Sequence, residues 1–266
     1  YDALRRDAVR QTLSSLWTGL DVALGSNARL EVGARADRFD YRVASSLAVN
    51  SGKGNDALIS PKASLVFGPW RESEFFLSAG RGFHSNDARG ATIKVDPTDR
   101  VTPVKSVTAL VPARGIEIGF RTAVIPNAQL SMSFWRLDLA AELLFSGDGG
   151  TTESTRPSRR QGMEVALYAR PFDWMVLDAD YAPSHARYVD SDPAGASIPG
   201  SISAAASAGV AIDLSSGWFG GLRARYLGSA PLIEDASVTS RRSTLVNAEL
   251  GRRFSWHWRA SLGIYN

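Results

Sequence analysis

Alternation with a period of two runs through nearly the whole chain, and nothing else in it limits the fold so strongly. Leu30, Val32, Ala34 and Ala36 alternate with Glu31, Gly33, Arg35 and Asp37, and Ile116, Ile118 and Phe120 alternate with Glu117, Gly119 and Arg121. Met163, Val165 and Leu167 alternate with Glu164, Ala166 and Tyr168, and Leu222, Ala224 and Tyr226 with Arg223 and Arg225. Successive side chains of a strand point to opposite faces, whereas a helix repeats near 3.6 residues. Glycines interrupt most helical candidates. About twelve runs follow the strand period: 8–24, 29–44, 58–68, 72–83, 113–124, 128–145, 159–171, 174–188, 201–214, 218–228, 243–254 and 257–266. The fold class is all-β, with one apolar and one polar face per strand.

Composition excludes several classes. No apolar stretch approaches the roughly 18 residues of a membrane-spanning helix, and the mean hydropathy is −0.12. With 7 Trp, 7 Tyr and 11 Phe, the chain is too aromatic for a disordered segment. The absence of cysteine excludes disulfides and thiol chemistry, and three histidines make a dedicated zinc enzyme a poor fit. Tyr1-Asp2-Ala3-Leu4-Arg5-Arg6 shows no secretory signal, so the chain reads as cytosolic or as an interior piece of a longer one. A net charge of +3 is too small to argue for nucleic acid.

Two architectures give strands one apolar face: a soluble sandwich turns it inward, and a membrane barrel turns it to lipid. Strand length favours the barrel, because several runs exceed the 9–11 or so residues that cross a bilayer at a tilt. Loop parity is the stronger argument. Short connections (Gly25-Ser26-Asn27, Gly68-Pro69-Trp70-Arg71, Pro126-Asn127, Phe172-Asp173, Ser215-Ser216-Gly217, Ser255-Trp256) alternate with long ones at 45–57, 84–112, 146–158, 189–200 and 229–242. Up-and-down outer-membrane barrels sort their connections this way, short on the periplasmic rim and long on the extracellular rim. Trp70, Phe172, Trp174, Trp218, Trp256 and Trp258 gather at the short turns, as an interfacial aromatic girdle would. The reading is an antiparallel up-and-down transmembrane β-barrel, partial, of about twelve strands. Within 128–145 the apolar phase changes from Leu130, Met132 and Phe134 to Leu137, Leu139, Ala141, Leu143 and Phe145, which predicts a β-bulge near Trp135. The Ala-rich segment 202–211 is where a helix competes, and its neighbours favour a strand.

Ser60-Pro61-Lys62-Ala63-Ser64-Leu65, followed by Ala79-Gly80-Arg81-Gly82-Phe83-His84, resembles the barrel of TonB-dependent outer-membrane receptors. Gly147-Asp148-Gly149-Gly150 with Arg159-Arg160-Gln161-Gly162-Met163-Glu164, and Leu262-Gly263-Ile264-Tyr265-Asn266, are similar to later parts of that barrel. The resemblance covers essentially the whole chain. It implies strands 10 to 21 of a 22-stranded barrel, with the signal peptide, TonB box, plug domain, first strands and closing strand outside this sequence. It further implies a Gram-negative outer membrane, lipid around the barrel, and partnership with the plug of the same full-length chain and with the TonB complex. The cargo would be a scarce ligand such as a ferric siderophore or other metal chelate. As drawn, such a piece has two unpaired edges and should not be stable alone.

Candidate sites follow from the polar phase and the long loops. Glu117, Arg121, Glu164, Asp178, Asp180, Arg223 and Arg225 fall on the polar phase, where they would face a plug or a water-filled lumen. His84, Asn86, Asp87 and Arg89 sit at the extracellular end of one strand; Asp148, Glu153, Arg156, Arg159 and Arg160 surround another loop. Arginine clusters suit anionic ligands, because guanidinium binds paired oxygens in a fork. Catalysis is weakly supported. His84-Ser85-Asn86 are adjacent and cannot form a triad, and Asp178 and Asp180, about 7 Å apart by strand rise, are better explained by arginines on neighbouring strands than as a glycosidase dyad. No cofactor or metal site is expected. The alternatives to a TonB-dependent transporter are a passive porin and an outer-membrane enzyme such as a phospholipase.

Overall fold

The computed structural model describes residues 5–146, 151–154, 156–255 and 257–266. Twelve antiparallel strands form one sheet: β1 (Asp7–Ala23), β2 (Ala28–Ser45), β3 (Gly52–Trp70), β4 (Ser73–Ser85), β5 (Leu110–Thr122), β6 (Ala128–Leu139), β9 (Ser158–Phe172), β10 (Met175–Tyr188), β11 (Ala204–Asp213), β12 (Trp218–Leu227), β13 (Ser243–Arg253) and β14 (Arg259–Ile264). Each pairs with its neighbour in this order, and β1 and β14 are the edges. β7 (Leu143–Ser146) and β8 (Thr151–Ser154) make a separate hairpin inside one long connection. A 3-10 turn (Ala48–Asn50) and the short helix α1 (Ala88–Thr92) complete the structure; no helix among the described residues is long and apolar enough to cross a membrane.

The apolar phase lies on one face in continuous rows. Leu77, Ile118, Phe134 and Met163 stand side by side on four adjacent strands, with Phe75, Phe120, Met132 and Val165 in the next row. Ile118 is 58% exposed, Phe134 51% and Leu250 55%. A soluble sandwich buries such a face against a second sheet; among the described residues no second large sheet covers it, which leaves it to lipid. Short connections lie on one rim and long ones on the other. Trp70, Phe172, Trp174, Trp218 and Trp258 lie at the short-turn rim, with Phe172 and Trp174 stacked at 5.1 Å; Trp256 is outside the described residues.

The expected bulge near Trp135 is absent. The β5–β6 register is unbroken from Ala113↔Leu139 to Thr122↔Leu130, and the β6–β9 register from Ala128↔Ala169 to Leu139↔Ser158. The change of phase comes from the strand leaving the apolar layer. Beyond Phe134 the apolar face continues as Arg136 and Asp138, which need water, while Trp135, Leu137 and Leu139 stay on the polar face. β6 ends at Leu139, so the remainder of run 128–145 belongs to the next connection. The register slips observed lie next to short turns, between Phe67 and Trp70 and between Met175 and Leu177.

Two boundaries also shift. β3 starts at Gly52 and shortens the expected 45–57 loop, and it runs through Gly68 and Pro69 to Trp70. The tight turn is Arg71-Glu72, both with positive φ (45° and 60°), the backbone that matches the twist of paired strands but more often recruits Asn and Gly. The Ala-rich segment forms β11.

On the long-loop rim the β3–β4 ladder stops at Lys62↔Gly80, beside Pro61, which has no N–H to extend it. The 86–109 connection packs there. Phe39, Ala109 and Leu110 form a buried cluster against which Tyr41, Leu58, Phe83 and Ala91 pack.

Candidate functional site

Strand alternation places Glu117, Arg121, Glu164, Asp178, Asp180, Arg223 and Arg225 on the face opposite the apolar rows. Near the short-turn rim Glu74 accepts from Arg29 Nη1 at 2.9 Å and from Arg121 Nε at 2.6 Å. Arg223 Nη2 donates to Asp178 at 2.6 Å, and Ser207 Oγ to Asp180 at 3.2 Å. Asp180 is therefore bound to the adjacent β11 and Asp178 to β12 beyond it, the arrangement expected of wall residues. Glu117, Glu164 and Arg225 make no ion pair among the described residues.

At the long-loop end of this face a cavity of about 610 Å³ opens among Lys62, Gly80, Gly82, His84, Glu117 and Trp135. Backbone geometry explains the room: a Cβ added at Gly82 would meet nothing within 4 Å. Trp135 folds over Gly162, where a Cβ would stand 2.9 Å from the indole. The Lys62 stem lies across Gly33 and Gly80. His84 Nε2 and Trp135 Nε1 are both buried, and neither has a hydrogen-bond partner among the described residues. A buried, unmatched donor costs about 1–3 kcal/mol; the enclosed indole N–H of Trp135 is such a donor, and a turn of its ring would offer it to acceptor oxygens in the cavity. The sequence marks His84; it shows Trp135 only through the change of phase there, although an indole on a polar phase is the available signal.

The other loop candidates have structural partners. Asn86 donates to Thr108 O, and its N–H bonds Ala109 O at 2.8 Å, closing the base of the 86–109 loop. Asp87 caps α1, accepting from Arg89 N at 2.8 Å and from the Arg89 guanidinium. Those Arg89 bonds hold the Asp87 carboxyl below the usual aspartate range. Arg160 forks onto Glu142 (2.9 and 3.0 Å), a buried carboxylate that also accepts from Ser158 Oγ at 2.6 Å. Arg156 is fully engaged. It reaches Asp190 (2.6 and 2.8 Å), Glu234 (3.1 Å) and Gly195 O (2.7 Å), and its guanidinium lies 4.3 Å from the Tyr188 ring centre. Hydrogen bonding from Arg156 lowers the Asp190 carboxyl pKa. Arg159 stands on the opposite face, bonded to Asp138 at 2.6 Å, so the structure does not bring it to His84. Asp148 lies outside the described residues, and Glu153 falls in β8.

Asn50 was not marked by sequence at all. It donates to Val95 O (2.9 Å) and accepts from Lys94 N (2.8 Å) and Val95 N (3.0 Å), tying the 46–51 and 86–109 loops together. A single asparagine in a Ser/Gly-rich loop carries no pattern that would reveal this. Among the described residues no three His, Asp or Glu side chains gather as a metal site.

A single up-and-down sheet with an apolar outer face, a charged inner face and loops sorted by rim defines an outer-membrane barrel wall. A family model, TonB dependent receptor-like, beta-barrel, matches residues 2–266, and the chain belongs to that family. Such barrels reside in the Gram-negative outer membrane. Solved structures agree in fold. The ferric-catecholate import receptor Fiu from K12 E. coli, in its closed form, aligns with TM-score 0.75 and 15% identity over 98% of this chain and 41% of its own. The ferric yersiniabactin uptake receptor FyuA from Yersinia pestis aligns with TM-score 0.76 and 14% identity, covering 98% and 41%. The siderophore receptor PiuA from Acinetobacter baumannii aligns with TM-score 0.72 and 13% identity, covering 97% and 39%. The chain spans about 40% of the length of these receptors.

Proposed function

We propose that this chain is the barrel region of a TonB-dependent transporter importing a negatively charged metal chelate, most simply a ferric siderophore. The observation that carries this reading is the cavity at the extracellular end of the polar face. It joins the Lys62 cation to two buried, unmatched nitrogens, His84 Nε2 and Trp135 Nε1. Catecholate or carboxylate oxygens would meet the ammonium and, once the enclosed indole turns toward the cavity, accept from its N–H. Iron is cargo in this reading, held by its chelator, and the protein binds and conducts without bond chemistry. Glu117, Glu164 and Arg225 lie free to meet a plug contributed elsewhere by the full-length chain, which would pass on energy from the TonB complex.

The test is titration of the full-length receptor with ferric catecholate, hydroxamate and carboxylate chelates, read by tryptophan quenching, alongside uptake of labelled iron by cells. Saturable binding of one class is expected, weakened about 5- to 10-fold by Trp135→Phe, as for loss of one hydrogen bond. Uptake should stop when a protonophore collapses the inner-membrane gradient. Uptake that persists would mean a passive porin, and a receptor indifferent to every chelate would overturn the cargo.

A further inference from the structure

We propose that the bare upper edge of β3 is a docking site for an extended, acidic segment of an extracellular protein, which adds to the wall as a further strand. β3 pairs with β2 from Gly52 to Phe67, but with β4 only from Lys62 toward the short-turn rim. Along 53–61 no described residue bonds the backbone of its other edge. At the usual rise this stretch spans about 30 Å. The ladder parts because the β4–β5 tip leans beneath the sheet. Phe83 and Leu110, on the outward phase of their strands, pack with Phe39 and Leu58 from the inward phase of β2 and β3. Asp56 fixes the lean, accepting from Leu110 N at 3.2 Å. A strand left unpaired on one side is a template for another strand.

The charge around the split selects the partner. Where β3 and β4 part, a cavity of about 670 Å³ is lined by Trp17, Arg35, Ser60, Lys62, Arg81 and Phe83. Arg35 is engaged with Asp37 at 2.8 Å, whereas Lys62 and Arg81 make no ion pair among the described residues. Ser60 Oγ is buried there without a hydrogen-bond partner among the described residues. On the outward phase Arg42 and Lys53 stand directly opposite each other, again with no ion pair among the described residues. Like charges so placed destabilise a sheet, and a carboxylate between them relieves it. The side chains of an added strand alternate between these two sets of cations, so acidic residues on both of its faces find partners while its amides pair with β3. The upper part of the edge stands in water, beside Arg38 and Asp40, whose exposed ion pair would be costly in lipid. A lipid or a free anion would meet the charges and leave the edge bare. Edge and charge together commit the site to an acidic strand. It adjoins the His84–Trp135 cavity through Lys62 and does not depend on what binds there.

The experiment uses the full-length receptor in mild detergent and three fluorescent peptides of about the length of the bare edge: one alternating Glu with Thr or Val, one with every Glu replaced by Gln, and one that keeps Glu but is N-methylated throughout. Fluorescence anisotropy should show saturable binding of the first. The Gln peptide should bind about tenfold more weakly, as for a few lost surface ion pairs, and the methylated peptide, which cannot donate to a ladder, should not bind at matched concentration. These readings need no variant to fold. Position is read by coupling, since this chain has no cysteine. Ile59→Cys, exposed on the bare edge, should be alkylated by the acidic peptide carrying a central bromoacetyl group, while Val101→Cys, exposed in the 86–109 connection, should react no faster than the wild-type blank. Absence of saturable binding, or equal binding of the Glu and Gln peptides, would overturn the acidic partner. Undiminished binding of the methylated peptide would overturn strand pairing, and equal coupling at 59 and 101 would overturn the location. None of these outcomes changes with the identity of the cargo, so the transport reading stands or falls separately.

Discussion

The two groups of long loops are held by different physics. Loop 86–109 rests on Phe39, Ala109 and Leu110 and is pinned by Asn50 through neutral hydrogen bonds to Lys94 and Val95. The loops 189–203 and 228–242 meet around one cation: Arg156, just before β9, binds Asp190 and Gly195 of the first and Glu234 of the second. An apolar cluster with neutral bonds holds at any salt and across a wide pH range. A charged hub weakens when its partners are screened or protonated. The first loop therefore behaves as fixed wall beside the His84–Trp135 cavity, and the second group as the part that responds to conditions and, in the transport reading, to an anionic ligand.

The largest effect should come from emptying the apolar cluster. Leu110 is 1% exposed, and Leu110→Ala should cost about 2–5 kcal/mol locally. In the full-length receptor, cleavage within 86–109 should become rapid under limited proteolysis while cleavage in 189–203 stays at its wild-type rate. Equal acceleration in both would mean that the two groups are one unit. Asn50→Ala should follow at about 1–3 kcal/mol, since it strands two N–H groups and a carbonyl. Hydrogen exchange at Lys94 and Val95 should rise, and the rise should not depend on salt.

Alternation was enough to read the strands, because every second residue meets lipid and the sheet has no other way to satisfy both faces. Loop parity gave the orientation for the same reason. What failed to show lay where that periodicity stops constraining residues. Beyond the lipid layer both faces touch water, so Gly52 to Ala57 looked like loop although they extend β3, and the Trp135–Leu139 segment looked bulged although its register is unbroken. The Arg71-Glu72 turn was missed because these residues adopt positive φ without the usual Asn-Gly signal. The loop candidates rest on chemical type alone. Type cannot distinguish an arginine offered to a ligand from Arg156, whose donors are already used, or from Arg159, which points to the other face.

The smallest expected effect tests the comparison most finely. Arg156→Gln should speed cleavage within 189–203 and 228–242 modestly and leave 86–109 unchanged, and 1 M salt should bring the wild type part of the way toward the variant, because the Debye length then falls to about 3 Å. Acid should act in the same sense. The Asp190 pKa is lowered by Arg156, so the contribution of this contact is complete above the ordinary aspartate value of about 4 and is lost as pH falls through the lowered value. The Asp87 pKa is lowered too, but its partner Arg89 is two residues away on the same turn. Protonating Asp87 loosens only that cap, while Phe39, Leu110 and Asn50 still hold the loop. Proteolysis at about pH 3, with an acid-active protease, should therefore open the Arg156 cluster and spare 86–109. If both loops opened together, the division between a fixed and a responsive half of the rim would fail.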